Sequence, residues 1–233
     1  MQGNNFSVDL VELLEAGCHF GHQARRWNPR MAEFIYEERD GVHIFDLAKT
    51  ATQLENACQV LAEASKAGKS IIFVGTKRQA QDIVKAEVSK AGAFYITTRW
   101  PGGLITNWEQ VGKSVKKLNT RKKEKEEGKY KIYTKKENVL IDREIARLER
   151  LFGGVAGLTG SPDILVVIDI NKEIAAVKEA RSKGVYIIAL ADSNTNPDLV
   201  DLAIPANDDA IGSLQLIIAK LASAIKEGKT ANK

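Results

Sequence analysis

Ser70-Ile71-Ile72-Phe73-Val74-Gly75 runs directly into Thr76-Lys77-Arg78-Gln79 and a segment reaching about Ala91, with Ala80, Ile83, Val84 and Val88 as its apolar stripe. A short continuous apolar run suits a strand buried on both faces, and 3/4 spacing after it marks an amphipathic helix. Gly92 is placed to end that helix, and Phe94-Tyr95-Ile96-Thr97 reads as the next strand. The same unit returns downstream. Asp163-Ile164-Leu165-Val166-Val167-Ile168 is a strand, Asn171 caps a helix to about Lys183, Gly184 stops it, and Val185 to Leu190 is a further strand. Leu202-Ala203-Ile204 adds a short strand, and Asn207-Asp208-Asp209 offers capping side chains to a last helix ending near Lys226. Buried strands alternating with helices predict an α/β fold with a parallel sheet covered on both faces. Right-handed crossovers then favour a doubly wound, flavodoxin-like strand order.

Upstream, Val8 to Ala16 reads as a short amphipathic helix, broken by Gly17 and Gly21. Phe34 to Tyr36 and Val42 to Phe45 are short β-type runs around the turn Arg39-Asp40-Gly41. Leu47 to Ala67 is helical, with Leu54, Ala57, Cys58, Leu61 and Ala64 at helical spacing and Gly68 at its end.

One segment breaks the rhythm. Trp108, Val111, Val115 and Leu118 are spaced 3, 4, 3, and Ile141, Ile145, Leu148 and Phe152 are spaced 4, 3, 4. Two short heptad stripes on either side of a polar tip, Arg121 to Tyr133, predict an antiparallel helical (coiled-coil) hairpin. Each helix would reach roughly 25 Å at 1.5 Å per residue, too short to hold alone in water. The expected division is an α/β body of residues 1–107 and 153–227, with 1–34 extending from it, a hairpin of 108–152 and a flexible tail of 228–233.

The hairpin also holds the charge. The chain has 233 residues and a formal net charge of +4, but residues 113–150 carry 14 Lys/Arg against 7 Asp/Glu, a net of +7. The remaining residues therefore carry 20 Lys/Arg against 23 Asp/Glu, a net of −3. A basic excess confined to one segment is an electrostatic footprint, whereas a solvated coiled-coil exterior needs no two-to-one imbalance. Apolar residues make up 44% of the chain, enough for a sizeable core. Two cysteines, Cys18 and Cys58, form no CxxC pair, which fits a reducing, cytoplasmic setting. The start lacks an apolar signal segment, and no run approaches the ~20 apolar residues of a membrane span.

The candidate chemistries are unequal. Gly75-Thr76-Lys77 lacks the spacing of a phosphate-binding loop, although Lys77 and Arg78 stand at a helix N-terminus that favours anions. Cys18, His19, His22 and His43 lack the four-ligand spacing of a structural zinc site, so core or hydrogen-bonding roles are expected and no metal. Asp192, Asp198, Asp208 and Asp209 lie where α/β enzymes carry active residues, but helix capping accounts for Asp208 and Asp209 and turn chemistry for Asp198. No nucleophile elbow is present, no catalytic constellation stands out, and no cofactor is expected. For nucleic acid, three places combine cations with flat rings: Arg25-Arg26-Trp27 with Arg30, Arg99-Trp100, and the hairpin with Tyr130 and Tyr133. With no single-strand motif, recognition of folded RNA by shape and backbone is the better fit.

Gly17-Cys18-His19-Phe20-Gly21-His22-Gln23, with Arg26-Trp27-Asn28-Pro29-Arg30-Met31, resembles the N-terminal signature of the family of bacterial ribosomal protein two of the small subunit. Phe73 to Ala80 resembles its second signature and Arg99-Trp100-Pro101-Gly102-Gly103 through Thr106-Asn107-Trp108 its third. Asp192-Ser193-Asn194 with Asn196-Pro197-Asp198, then Ile204 to Ile211, resembles its C-terminal pair. Pro101 stands where the family usually has Leu, and Leu104 where it usually has Met. The resemblance implies a non-enzymatic structural component of the small ribosomal subunit with a flavodoxin-like body and an inserted helical hairpin. It implies contact with small-subunit ribosomal RNA and neighbouring ribosomal proteins, including in many bacteria a large mRNA-binding one, with no membrane and no homo-oligomer. The residues expected to meet RNA or a partner are Arg25, Arg26, Trp27, Arg30, Lys77, Arg78, Arg99, Trp100, Asn107, Lys113, Lys116 and Lys117. The rival reading is a phosphate-ligand-binding α/β enzyme using Lys77, Arg78 and the strand-end aspartates.

Overall fold

The computed structural model describes residues 6–230. Five strands form a parallel sheet: β4 (Ile71–Val74), β5 (Phe94–Ile96), β6 (Ile164–Val167), β7 (Tyr186–Ala191) and β8 (Leu202–Pro205). Their order across the sheet is β5-β4-β6-β7-β8, all pairs parallel. This is the flavodoxin-like order, with the reversal of direction between β4 and β6.

Side chains alternate across the pleat and build two cores. Ile71 and Phe73 of β4 face one, Ile72 and Val74 the other. On the first face lie α2 (Leu47–Lys66), α3 (Arg78–Ala91) and α7 (Ile211–Thr230), with Leu54, Val84 and Ile217 fully buried. On the second lie α6 (Ile174–Ser182), the loop after β5 and part of the segment between β5 and β6, with Val177, Leu104, Leu118 and Val155 at or near zero exposure. Burying a Leu or Val side chain stabilises by about 1.5–3 kcal/mol, so a strand buried on both faces draws on both layers.

The N-terminal stretch does not extend away from the body. Before it, α1 (Leu10–Glu15) sends Leu13 into the first core, as does Cys18 just after the helix. β1 (Phe20–Gln23), β2 (Ile35–Arg39) and β3 (Val42–Phe45) form a small antiparallel sheet in the order β1-β3-β2. β1 has no apolar run to announce it, and its partner β3 is needed to make it a strand. Met31, Phe34 and Phe45 enter the second core.

The crossover from β5 to β6 is where the chain inserts α4 (Trp108–Glu126) and α5 (Lys135–Phe152), joined by a short 3-10 turn at Lys129–Ile132. Thr134 and Glu137 form a capping box that starts α5. Val115, Leu118, Leu148 and Phe152 are buried where the two helices meet the body, whereas Ile141 and Ile145 are only half-buried. Burial fades along α5 toward the tip, where Tyr130 is buried again.

The last helix runs through Thr230, beyond the end expected near Lys226. Gly228 packs so closely on α2 that an added Cβ would lie 2.2 Å from the Ala62 carbonyl oxygen. Residues 231–233 of the expected tail lie outside the described residues.

A similar close approach fixes the return of the chain from α5 to the body. At Gly154, in the 3-10 turn after α5, an added Cβ would lie 2.2 Å from the Tyr95 carbonyl oxygen and 2.7 Å from its ring. Gly154→Ala is expected to cost at least about 1–3 kcal/mol, the usual range for overpacking. Urea unfolding, with Gly153→Ala compared alongside, measures the loss.

Candidate functional site

In a doubly wound sheet, ligands bind outside the carboxyl ends of the strands at the point where strand order reverses. Here that point is the space between β4 and β6, and it is filled. Lys77, just after β4, places its Nζ 2.9 Å from Asp169, 2.6 Å from Asp208 and 2.9 Å from Asp209. Its side chain is only 12% exposed. Asp169 follows β6, and Asp208 and Asp209 lie between β8 and α7, so one lysine ties the ends of three strands. Beside it Glu173 accepts a hydrogen bond from the Thr76 backbone at 2.9 Å and another from the Thr76 hydroxyl. The expectation that Lys77 meets an external phosphate is corrected: three carboxylates already surround the ammonium. Arg78, the next residue, is exposed.

The electrostatics follow from this crowding. Burial, together with the Asp192 and Asp169 carboxylates, pushes the Asp208 carboxyl up to about 8 against the pull of Lys77. Burial opposes the charge on Lys77, but Asp208, Asp209 and Asp169 outweigh it and raise its pKa above the ordinary lysine value. The Asp208 side chain is thus taken by Lys77. The Asn207 side chain accepts from the backbones of Asp209 at 2.8 Å and Ala210 at 2.9 Å and so shapes the turn that leads into α7.

The small N-terminal sheet closes the crevice from one side. His22 Nδ1 lies 2.8 Å from Asp192, and its Nε2 lies 3.6 Å from Asp209. The His22 backbone donates to the Ser193 hydroxyl at 2.8 Å, and the Asn28 backbone donates to the Ser193 carbonyl at 2.8 Å. Gly21 is required there, since an added Cβ would stand 2.9 Å from the Ser193 hydroxyl oxygen. His22, Asp208 and Asp209 can bring one ligand atom each within 4.8 Å of one another, a geometry compatible with a cation. The hydrogen bond to Asp192 raises the His22 pKa although burial works against it. His43 is buried against Trp27, their rings 5.0 Å apart edge to face.

The loop after β5 has its own organiser. Glu179 of α6 accepts from Gly103 N–H at 2.7 Å, Ile105 N–H at 3.2 Å, and the Thr106 hydroxyl at 3.2 Å. The Trp100 indole N–H donates to the same carboxylate at 3.1 Å. Burial works against the charge of Glu179, but these donors outweigh it and hold the carboxyl below its ordinary range. Trp100 is 6% exposed and belongs to the second core, so the expectation that it stacks on RNA or a partner is corrected. Its neighbour Arg99 is exposed, as is Asn107, which precedes α4 without a side-chain capping bond.

The other expected residues divide by pairing. Arg25 and Arg26 are exposed and Trp27 is 40% exposed. Arg30 is exposed but bound to Asp198. On α4, Lys117 is paired with Glu144 across to α5 and Lys113 lies 3.9 Å from Glu109, whereas Lys116 has no acidic partner among the described residues. Sequence reasoning missed Asp169 and Glu179. Asp169 had a signal, an acid just past a buried strand. Glu179 had none, because its donors come from a loop 73 to 79 residues earlier.

The sequence profile of the ribosomal protein S2 family matches residues 13–228. The chain is 49% identical over 222 residues to "Small ribosomal subunit protein uS2" of Picosynechococcus sp., covering 95% of this chain and 87% of that one. It is 47% identical over 222 residues to "Small ribosomal subunit protein uS2c" of Guillardia theta, covering 95% and 94%. The protein of the same name from Rhodomonas salina is 47% identical over 221 residues, covering 95% and 91%.

Two outcomes are expected. Lys77→Met leaves buried acids without their cation and should cost about 3–5 kcal/mol above pH 8, where Asp208 is charged. That deficit should shrink as pH falls from there toward 7 and Asp208 takes up its proton, which urea titrations at several pH values will read. For His22, the folded pKa is above the unfolded value of about 6.5. Its contribution is complete below that value and lost as pH rises through the higher folded one. The stability difference between wild type and His22→Gln should therefore narrow from pH 6 to pH 8 (roughly the histidine range).

Proposed function

The chain belongs to the ribosomal protein S2 family, and on that premise we propose that it is a structural component of the small ribosomal subunit, binding ribosomal RNA and neighbouring ribosomal proteins. The observation that carries this reading is the family match over residues 13–228, which spans both halves of the body and the helices between them. The basic segment supports it, because a net charge of +7 confined to residues 113–150 suits a phosphate-rich partner. So does the filled crevice, which leaves Lys77 and the strand-end aspartates committed to one another and withdraws the support for a phosphate-ligand-binding enzyme.

The exposed residues Arg25, Arg26, Trp27, Arg78, Arg99 and Asn107 are candidates for RNA or partner contact, with Lys116 on the helical segment. Among the described residues no helix is long and apolar enough to cross a membrane. The reading places the chain with cytoplasmic ribosomes, and among its protein partners it includes the large mRNA-binding ribosomal protein.

Tagged full-length protein is expected to co-sediment with small subunits at low salt and to be released as salt rises, since phosphate contacts expel counterions. Sucrose-gradient fractionation measures this. Protein that remained wholly in the ribosome-free fraction at low salt would overturn the reading.

A further inference from the structure

Among the described residues, every cation of α4 except Lys116 stands in an ion pair, whereas those of α5 do not. Lys117 is paired with Glu144, Lys122 with Glu149, and Lys125 with Asp142 at 2.7 Å. Each of these acids belongs to α5, and each cation to α4. Three of the four acids of α5 are therefore consumed by α4, and the fourth, Glu137, by the capping box with Thr134. The cations of α5 are left without acids: among the described residues, Lys136, Arg143, Arg147 and Arg150 stand in no ion pair within 4.0 Å. Arg147 only adds a more distant pull on Glu144.

These four cations share one face. At 3.6 residues per turn they fall within an arc of about 60° and extend about 21 Å along the helix. Leu140, 56% exposed, and Val139, 42% exposed, border this arc on its two sides. The buried residues Leu148 and Phe152 point to the opposite side, where α4 and the body pack.

We propose that this outer face of α5 is the surface that docks on the sugar-phosphate backbone of folded ribosomal RNA. The inference rests on the ribosomal reading above and names the part of the chain that carries it. Charge complementarity selects the partner. Four cations without acids in a row about 21 Å long match a continuous line of phosphates, and no acid on that face discriminates against one. Arginine supplies three of the four, and its planar fork suits phosphate oxygens. The apolar Leu140 and Val139 fit against sugar edges, where contact needs no base identity.

The test uses full-length protein and purified small-subunit ribosomal RNA, with binding followed over a series of salt concentrations. The variant Lys136→Gln/Arg143→Gln/Arg147→Gln should bind at least about tenfold more weakly at low salt, and its salt slope should fall by about 2, each lost phosphate contact removing 0.7–0.9. The sites are exposed, so helix content by circular dichroism should be unchanged. Lys123→Gln on α4, whose cation is already 3.9 Å from Glu127, should change affinity by no more than about twofold. A wild-type slope in the triple variant, or an equal loss in the Lys123 variant, overturns the proposal. Retained RNA affinity with failed incorporation into subunits would assign the face to an acidic protein instead and overturn the RNA docking. Wild-type protein that bound neither RNA nor subunits would overturn the ribosomal reading itself, a result distinct from the others.

Discussion

One ammonium group governs the centre of this protein. Lys77 sits among Asp169, Asp208 and Asp209, and Asp192 lies alongside. Without that cation the carboxyl ends of β4, β6 and β8 would converge on uncompensated negative charge in a site of low solvation. Such a buried arrangement adds little net stability over an apolar core, but it is costly to break, because the remaining charges stay buried. It also specifies. A lysine that must reach three acids from one strand end allows few alternative packings of the elements around it.

The consequence is that the place where this fold usually holds a ligand is occupied by its own side chains. The N-terminal sheet completes the closure through His22 on Asp192 and the backbone of β1 against Ser193. Glu179 performs a comparable task on the other side, gathering the loop of Trp100 to Thr106 so that the chain leaves β5 in a fixed direction. Interaction is thereby displaced from the crevice to the periphery. The exposed arginines of the N-terminal sheet and the inserted helices carry the cations still available to a partner.

In those helices, charge is sorted by packing. Exposed ion pairs contribute little to stability, typically 0–1 kcal/mol, yet they decide which cations remain free. Cross-helix pairs use the acids of α5 against the lysines of α4. A segment whose composition suggests a uniformly basic arm thus presents one helix of paired cations, Lys116 excepted, and one of unpaired cations.

Much of the fold was legible in the residues. Apolar runs such as Ile71–Val74 and Ile164–Val167, each followed by helical spacing, determined a parallel α/β sheet, because periodicity and turn chemistry act over neighbouring positions. Two spaced stripes likewise determined where helices interrupt it. What local pattern could not supply was the occupancy of each charged or aromatic group. Trp100 looked like a stacking platform and is core, Lys77 looked like an anion site and is already surrounded, and β1 became a strand only through β3. In each case the deciding partner lies on another element, up to 132 residues away for Lys77. The sequence by itself determined the elements and where the basic charge concentrates. Only the tertiary structure decided which of those charges face one another and which face solvent, since pairing depends on distances of 4 Å or less that no spacing along the chain encodes.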